Sequence, residues 1–288
     1  MRYSADNPDP KMHGWNLIGN PFACNAYINR SYYKMNDDRN GIQVVGDNAA
    51  ILPCTGIMVK TENTSGETVI FTKEPQTNGA KGSLNITLAK AGIRDNAILD
   101  NAIVTFNKDN ELSKFFLVQS DANIYFPQNN EEYAIAYSQG IGEMPLNFVA
   151  NQDGHYNLGI SSQDVSFNYL HLIDNMTGAD VDLLKTPSYS FDARTSDYES
   201  RFKLVFISSS RFEDEDGDND SFAFNSNGSW IIANDGGATI QVIDMTGHII
   251  NSEHIDGSCN ISFNVAPGLY VLRLINGNNI QTQKIVIE

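Results

Sequence analysis

Cysteines are scarce in this chain, long apolar runs are absent, and each shortage excludes a class of protein. Three cysteines in 288 residues are too few for the dense disulfide framework of a small secreted domain. None of them belongs to a CxxC pair or has zinc-type spacing to histidine, so no metal or other cofactor is expected. No stretch approaches the roughly 18 apolar residues of a membrane-spanning helix, so we expect no membrane span.

Two interpretations of the cysteines stay open. Cys24 and Cys54 form a disulfide in an oxidising compartment, or they are free buried thiols, as we also expect of Cys259. The sequence does not decide between them, because a disulfide depends on the distance and orientation of the two backbones.

Positive charge is also scarce. Nineteen basic residues face 35 acidic ones, giving a formal net charge of −16. A field of that sign repels phosphate backbones and anionic lipid, so nucleic acid and membrane surfaces are excluded as partners.

Six of the 35 acidic residues lie within positions 213–220, which we interpret as a solvated linker because like charges in a block repel. A calcium site is the alternative, with Asp214, Asp216, Asp218 and Asp220 as candidate ligands. It is the weaker interpretation: in a loop beginning at Asp214, the glycine and glutamate positions of an EF-hand are occupied by Asn219 and Asn225.

Alternation of apolar and polar residues is frequent, and predicts strands with one face on a core. It occurs over residues 83–88, 188–192, 202–206 and 260–265. Turn dipeptides such as Asn-Gly and Asp-Gly separate these runs at short intervals. The fold class is therefore all-β. We predict a β-sandwich or jelly-roll over residues 1–212, with a division into two lobes near 72–82 as an alternative. A small Ig-like sandwich of about seven strands is expected over residues 221–288, after the linker.

Three sequence segments near the end of the chain carry a resemblance. They are ATIQVIDMTGH at 238–248, APGLYVLRL at 266–274 and QKIVIE at 283–288. Their order, spacing and position resemble the C-terminal sorting domain of the type IX secretion system, found on surface and secreted proteins of some Gram-negative bacteria. The matching motif residues are Asp244, Gly247, Gly268, Tyr270, Arg273 and Lys284. The Tyr-Pro-Asn-Pro turn with which this family often begins is missing from residues 222–228.

The resemblance implies export, with the protein at the outer-membrane surface or in the extracellular space and the type IX machinery as a partner. It carries no catalytic residues. Because residues 1–6 are polar and lack the apolar segment of a signal peptide, we expect the native protein to extend before Met1. Upstream, GWNLIGNPF at 14–22 and the segments 169–178, 189–191 and 201–204 resemble uncharacterised β modules that often precede such sorting domains.

Any function other than export is expected to reside in residues 1–212. They contain no GxSxG, HExxH or P-loop motif, so we expect no enzyme within this chain. The main hypothesis is a non-enzymatic surface protein with an adhesion or structural role, binding a surface glycan or a host protein. Trp15, Tyr27, Tyr32 and Tyr33 are candidates for stacking on sugars, with core packing as the alternative. The other hypotheses are a glycan-binding module, and the tail of a secreted peptidase or glycosidase whose catalytic domain lies upstream.

Overall fold

The predicted all-β class is confirmed. The computed structural model describes residues 1–36, 41–75, 82–90, 98–116, 120–209 and 221–287. Within these ranges there are 22 strands and two short 3₁₀ segments, Pro10–Met12 and Lys108–Asn110. In the part of the chain described, no helix has the length and apolar character that crossing a membrane requires.

An N-terminal sheet contains the first four strands in the order β1-β4-β2-β3. Their bounds are Trp15–Gly19 (β1), Tyr32–Met35 (β2), Ile42–Val45 (β3) and Gly56–Lys60 (β4). The two faces of this sheet pack on different apolar clusters. Tyr32 lies against Ile28 and Ile51 on one face, whereas Tyr33 lies against Phe115 and other residues of the neighbouring sheet on the opposite face. Successive residues of β2, whose side chains point to opposite faces of the sheet, are therefore both buried.

Strands β5 to β15 form an eleven-stranded sheet, here called the upstream sandwich. Their bounds are Ser83–Lys90 (β5), Ile98–Thr105 (β6), Leu112–Ser113 (β7), Ala122–Gln128 (β8), Glu131–Tyr137 (β9), Ile141–Ala150 (β10), Gly154–Gln163 (β11), Phe167–Asp174 (β12), Ala179–Asp182 (β13), Ser188–Ala193 (β14) and Phe202–Ser208 (β15). The strand order is β13-β12-β15-β10-β8-β9-β6-β5-β11-β14, and β7 pairs with β9 outside this path.

The sheet bends because β10 changes partner along its length. Residues 141–146 pair with β15, whereas residues 147–150 pair with β8. The two halves of the sheet consequently face each other across one core, to which β5, β6, β8, β10, β11, β12, β14 and β15 all contribute buried side chains. The alternation predicted for residues 83–88 corresponds to Leu84, Ile86 and Leu88, which are fully buried in that core.

The last seven strands form the C-terminal sandwich. They are Ala223–Ser226 (β16), Ser229–Ile232 (β17), Gly237–Ile243 (β18), Ile249–Asp256 (β19), Cys259–Ile261 (β20), Gly268–Asn276 (β21) and Asn279–Ile287 (β22). One sheet has the order β16-β17-β20 and the other β19-β18-β21-β22. Alternating residues of both sheets share a separate apolar core. The strand predicted over 260–265 is wrong beyond Ile261, where pairing with β17 ends.

The C-terminal sandwich packs against the upstream sandwich through a small apolar cluster. Its buried members are Tyr169, Val205 and Ile207 from the upstream sandwich, and Ile231 and Ala233 from the C-terminal one. At its edge the Lys203 ammonium donates to the Asn227 side-chain oxygen at 2.9 Å. The outer face of β15 is therefore covered as well as its inner face. The predicted linker 213–220 lies outside the described residues, as does most of the 72–82 stretch, so both boundaries stay predictions.

Candidate functional site

The predicted turn from Asp244 to Gly247 joins β18 to β19 and is stabilised by one carboxylate. Asp244 Oδ1 accepts from the Thr246 N–H at 2.8 Å and from the His248 N–H at 2.9 Å. The Thr246 hydroxyl also donates to it, at 2.6 Å. These bonds lower the pKa of Asp244. Gly247 has φ +88°, a conformation that glycine adopts without a Cβ penalty. The geometry of the turn therefore explains why Asp244 and Gly247 occupy these positions.

Gly268 and Tyr270 act together at the start of β21. The Tyr270 hydroxyl donates to the Ala266 carbonyl at 2.7 Å. A Cβ added at Gly268 would lie 3.5 Å from the tyrosine ring, which is ordinary contact. The ring therefore ties the segment entering the strand to the strand itself, and Gly268 is not needed here for a positive φ.

The two basic motif residues differ in their surroundings. Arg273 Nε donates to Gln241 Oε1 at 2.8 Å, and the two residues are cross-strand partners of β21 and β18. Lys284 is exposed on β22 opposite Val271, and has no ion-pair partner among the described residues. The six motif residues thus lie in one sandwich without converging on a common pocket.

The other predicted candidates have separate outcomes. Asp214, Asp216, Asp218 and Asp220 lie outside the described residues, so the calcium alternative stays a prediction. In the described ranges no cluster of three or more His, Cys, Asp or Glu residues is placed to hold a metal.

The prediction that Tyr32 and Tyr33 could stack on sugars is wrong, because each is 1% exposed. Trp15 is half-buried, with its ring 4.6 Å from that of Phe115 and 5.7 Å from that of Tyr33, so core packing is the better interpretation. Tyr27 is half-buried and joins a single bridge to Thr72. Sequence reasoning failed here because alternation identifies one covered face and does not reveal a second covering layer.

The expected burial of the cysteine thiols is also wrong. Cys24 and Cys54 are exposed and are not joined to each other. Cys259 is half-buried, and burial raises the pKa of its thiol.

A buried ion pair that the sequence did not reveal connects strands near the two opposite ends of the strand order of the upstream sandwich. Arg201 lies before β15, and both it and Asp174 at the end of β12 are 1% exposed. Arg201 Nη2 lies 2.9 Å from Asp174 Oδ2, and Arg201 Nη1 donates to the Asp192 carbonyl of β14 at 2.8 Å. Burial opposes ionisation of Asp174, but Arg201 and the Met176 N–H together lower its pKa below the ordinary value.

A second buried pair lies between the N-terminal sheet and the upstream sandwich. Lys114 Nζ contacts both Asp100 oxygens, at 2.7 and 2.5 Å. The same carboxylate accepts from the Ile124 N–H at 2.8 Å and from the Asn101 N–H at 2.9 Å. Burial raises the pKa of Asp100, although Lys114 and the two N–H groups oppose that rise.

A polar cleft of about 550 Å³ opens between the β3 end of the N-terminal sheet and the outer face of β6, β5 and β11. Its lining combines amide and hydroxyl side chains with apolar residues such as Val45 and Ile103. The polar residues that line it include Asp47, Ser83, Asn85, Ser161, Gln163 and Asp164. The volume falls in the range of about 300–1,000 Å³ that is usual for small-molecule sites. No single motif predicts this cleft, because its members come from several separated parts of the chain.

Fold and geometry together define an all-β protein with a seven-stranded sandwich at its C-terminal end. Residues 219–288 match the family described as "Secretion system C-terminal sorting domain". The predicted resemblance is confirmed for this part of the chain, which marks the protein for export to the outer-membrane surface or extracellular space. It also implies interaction with the type IX secretion machinery. No curated protein and no solved structure matches the chain.

Proposed function

We propose that the protein is a non-enzymatic adhesion module of the cell surface. The C-terminal sandwich delivers it, and the upstream sandwich contacts a partner through the polar cleft. The observation that carries this proposal is the cleft itself, which lies on a body whose C-terminal segment matches a sorting family.

The non-enzymatic part is supported by the surroundings of three titratable groups whose pKa values are shifted. Catalytic acids and bases with shifted pKa values are generally found in clefts. Here Asp100, Asp174 and Tyr33 have shifted pKa values, and all three are bonded within the protein core. Lys114 holds Asp100, Arg201 holds Asp174, and the Tyr33 hydroxyl accepts from the Phe115 N–H at 3.1 Å.

Removal of the C-terminal sandwich is expected to abolish surface presentation. The experiment expresses the full chain behind a signal peptide in a host with type IX machinery, and compares it with a chain ending at residue 209. Protease accessibility on intact cells should detect the full chain at the surface and leave the truncated chain in the periplasm. Truncation also uncovers the apolar residues Tyr169, Val205 and Ile207, so it changes more than the sorting segment. The intact full chain is therefore expressed as well in a strain lacking the machinery. Surface exposure there, or of the truncated chain, would contradict the sorting role.

Cells that display the full chain are expected to adhere to a glycoprotein-coated surface several-fold better than cells lacking it. The measurement is retention on desialylated mucin under flow, with display levels matched by antibody. Cells displaying an unrelated protein behind the same C-terminal sandwich serve as the control. Equal retention of both populations would reject the adhesive role while leaving export unaffected.

A further inference from the structure

We infer that the polar cleft is a binding site for a neutral oligosaccharide, held by hydrogen bonds from side chains on neighbouring strands. This inference deepens the proposed adhesive function and rests on it. It replaces the candidate stacking aromatics of the sequence analysis, of which Tyr32 and Tyr33 are in the core.

The register of β5 and β11 places polar side chains of the cleft in rows. Asn85 of β5 is the cross-strand partner of Ser161 of β11, and Ser83 is likewise the partner of Gln163. Directly paired residues project from the same face of a sheet, with Cβ atoms about 4.5–5.5 Å apart. Each row therefore presents hydrogen-bonding side chains of two strands together on the same side of the cleft.

Hydrogen-bonding capacity remains unused in these rows. Asn85 Oδ1 accepts from Asn101 at 3.1 Å, whereas the amide N–H groups of Asn85 have no partner among the described residues. The Ser83 and Ser161 hydroxyls likewise have none within the described ranges. Asn101 is itself fixed by bonds with the Val44 backbone at 2.9 and 3.0 Å, so Asn85 is held in place by a side chain that is already anchored.

The charge of the cleft selects the ligand class. Its described lining contains the carboxylates Asp47 and Asp164 and no lysine or arginine. The whole chain also has a formal charge of −16. Sialylated, sulfated and phosphorylated ligands are therefore disfavoured by repulsion. A neutral polyhydroxylated ligand meets no such cost, and carboxylate oxygens are good acceptors for its hydroxyl groups.

The inference is tested on the purified full chain with N-acetyllactosamine, mannotriose and cellotriose as neutral probes and sialyllactose as the anionic one. Saturation-transfer NMR should detect at least one neutral probe, and sialyllactose should bind more weakly. The Asn85→Ala/Ser161→Ala double variant should weaken that binding about tenfold or more, because two hydrogen bonds are lost. Ser161→Trp, which fills the cleft from an exposed position, should abolish it. Ser252→Trp, on exposed β19 of the other sandwich, is the matched control and should bind like the native chain.

No binding of any neutral probe would overturn the inference, and so would unchanged binding by Ser161→Trp. If no sugar binds but an extended peptide does, the cleft is assigned to a protein partner and the inference is likewise overturned. The cell assay separates this failure from failure of the proposed function. If cells displaying Ser161→Trp still adhere to mucin, adhesion stands and the cleft assignment is wrong. If cells displaying the native chain do not adhere, the adhesive function itself fails.

Discussion

Replacement of Arg201 by alanine is expected to destabilise the upstream sandwich by about 3–5 kcal/mol, the usual cost of removing one partner of a buried ion pair. The guanidinium makes bonds that no other side chain replaces. It contacts Asp174 and the Asp192 carbonyl, and its central carbon lies 4.5 Å from the centre of the Phe191 ring. Its loss leaves the Asp174 carboxylate buried without its cation, with the Tyr189 hydroxyl of β14 as a remaining donor at 3.1 Å.

The measurement is urea unfolding of the full chain, followed by circular dichroism at pH 7. Lys185→Ala is the matched control, because Lys185 pairs with Asp182 at 2.8 Å on the exposed surface, where ion pairs contribute about 0–1 kcal/mol. Arg201→Lys keeps the charge but loses the planar fork, so an intermediate loss is expected. A loss below about 1 kcal/mol for Arg201→Ala would contradict the assigned role.

The pH dependence of this variant follows from the lowered pKa of Asp174. A carboxyl group whose pKa is lowered by folding stabilises the protein above its unfolded pKa of about 3.9, and this contribution is lost as the pH falls through the folded value. The deficit of Arg201→Ala should therefore be largest near neutral pH and should decrease on acidification.

Alternation predicted strands well where one face of a sheet is covered and the other is solvated. Leu84, Ile86 and Leu88 of β5 followed the expected pattern. The prediction was incomplete for β15, whose residues are nearly all buried, because the C-terminal sandwich covers its outer face. Whether a second layer exists is a property of the assembled fold, and local periodicity carries no information about it.

The sorting segment was predictable because its signals are local. A four-residue turn ending at Gly247 and a tyrosine two positions after Gly268 involve short sequence separations, as their bonds in the structure show. The buried ion pairs are different. Asp174 and Arg201 are 27 positions apart, and Asp100 and Lys114 are 14 apart. Among 35 acidic and 19 basic residues, only the strand pairing determines which charges meet.

The polar cleft was missed for a related reason. Asn85, Ser161 and Asp47 each appear as ordinary surface residues in their own segments. They become one site only because β11 pairs with β5 rather than with its neighbour in sequence, and because the N-terminal sheet lies over that face. Trp15 and Tyr33, two of the aromatic residues considered as sugar-stacking candidates, pack instead between the two sheets.

Replacement of Lys114 by methionine is expected to cost about 3–5 kcal/mol at pH 7.5, since it leaves the buried Asp100 carboxylate without its cation. Methionine preserves most of the side-chain volume, so the loss reports on charge more than on a cavity. The two N–H groups that remain, from Ile124 and Asn101, satisfy the carboxylate only partly. Urea unfolding of the full chain at two pH values gives the measurement.

The sign of the pH effect separates the charge from the packing. Burial raises the pKa of Asp100 in the folded protein, and loss of Lys114 removes a group that opposes that rise. A carboxyl group with a raised folded pKa loses stability as the pH increases above its unfolded value of about 3.9. The loss of unfolding free energy in Lys114→Met should therefore be smaller at pH 4.5 than at pH 7.5. A packing defect would instead cost the same at both pH values. The Asp100→Asn/Lys114→Met double variant removes both charges and should recover much of the loss at pH 7.5. An equal deficit at both pH values, with no recovery in the double variant, would mean that Lys114 stabilises the junction by its contacts alone.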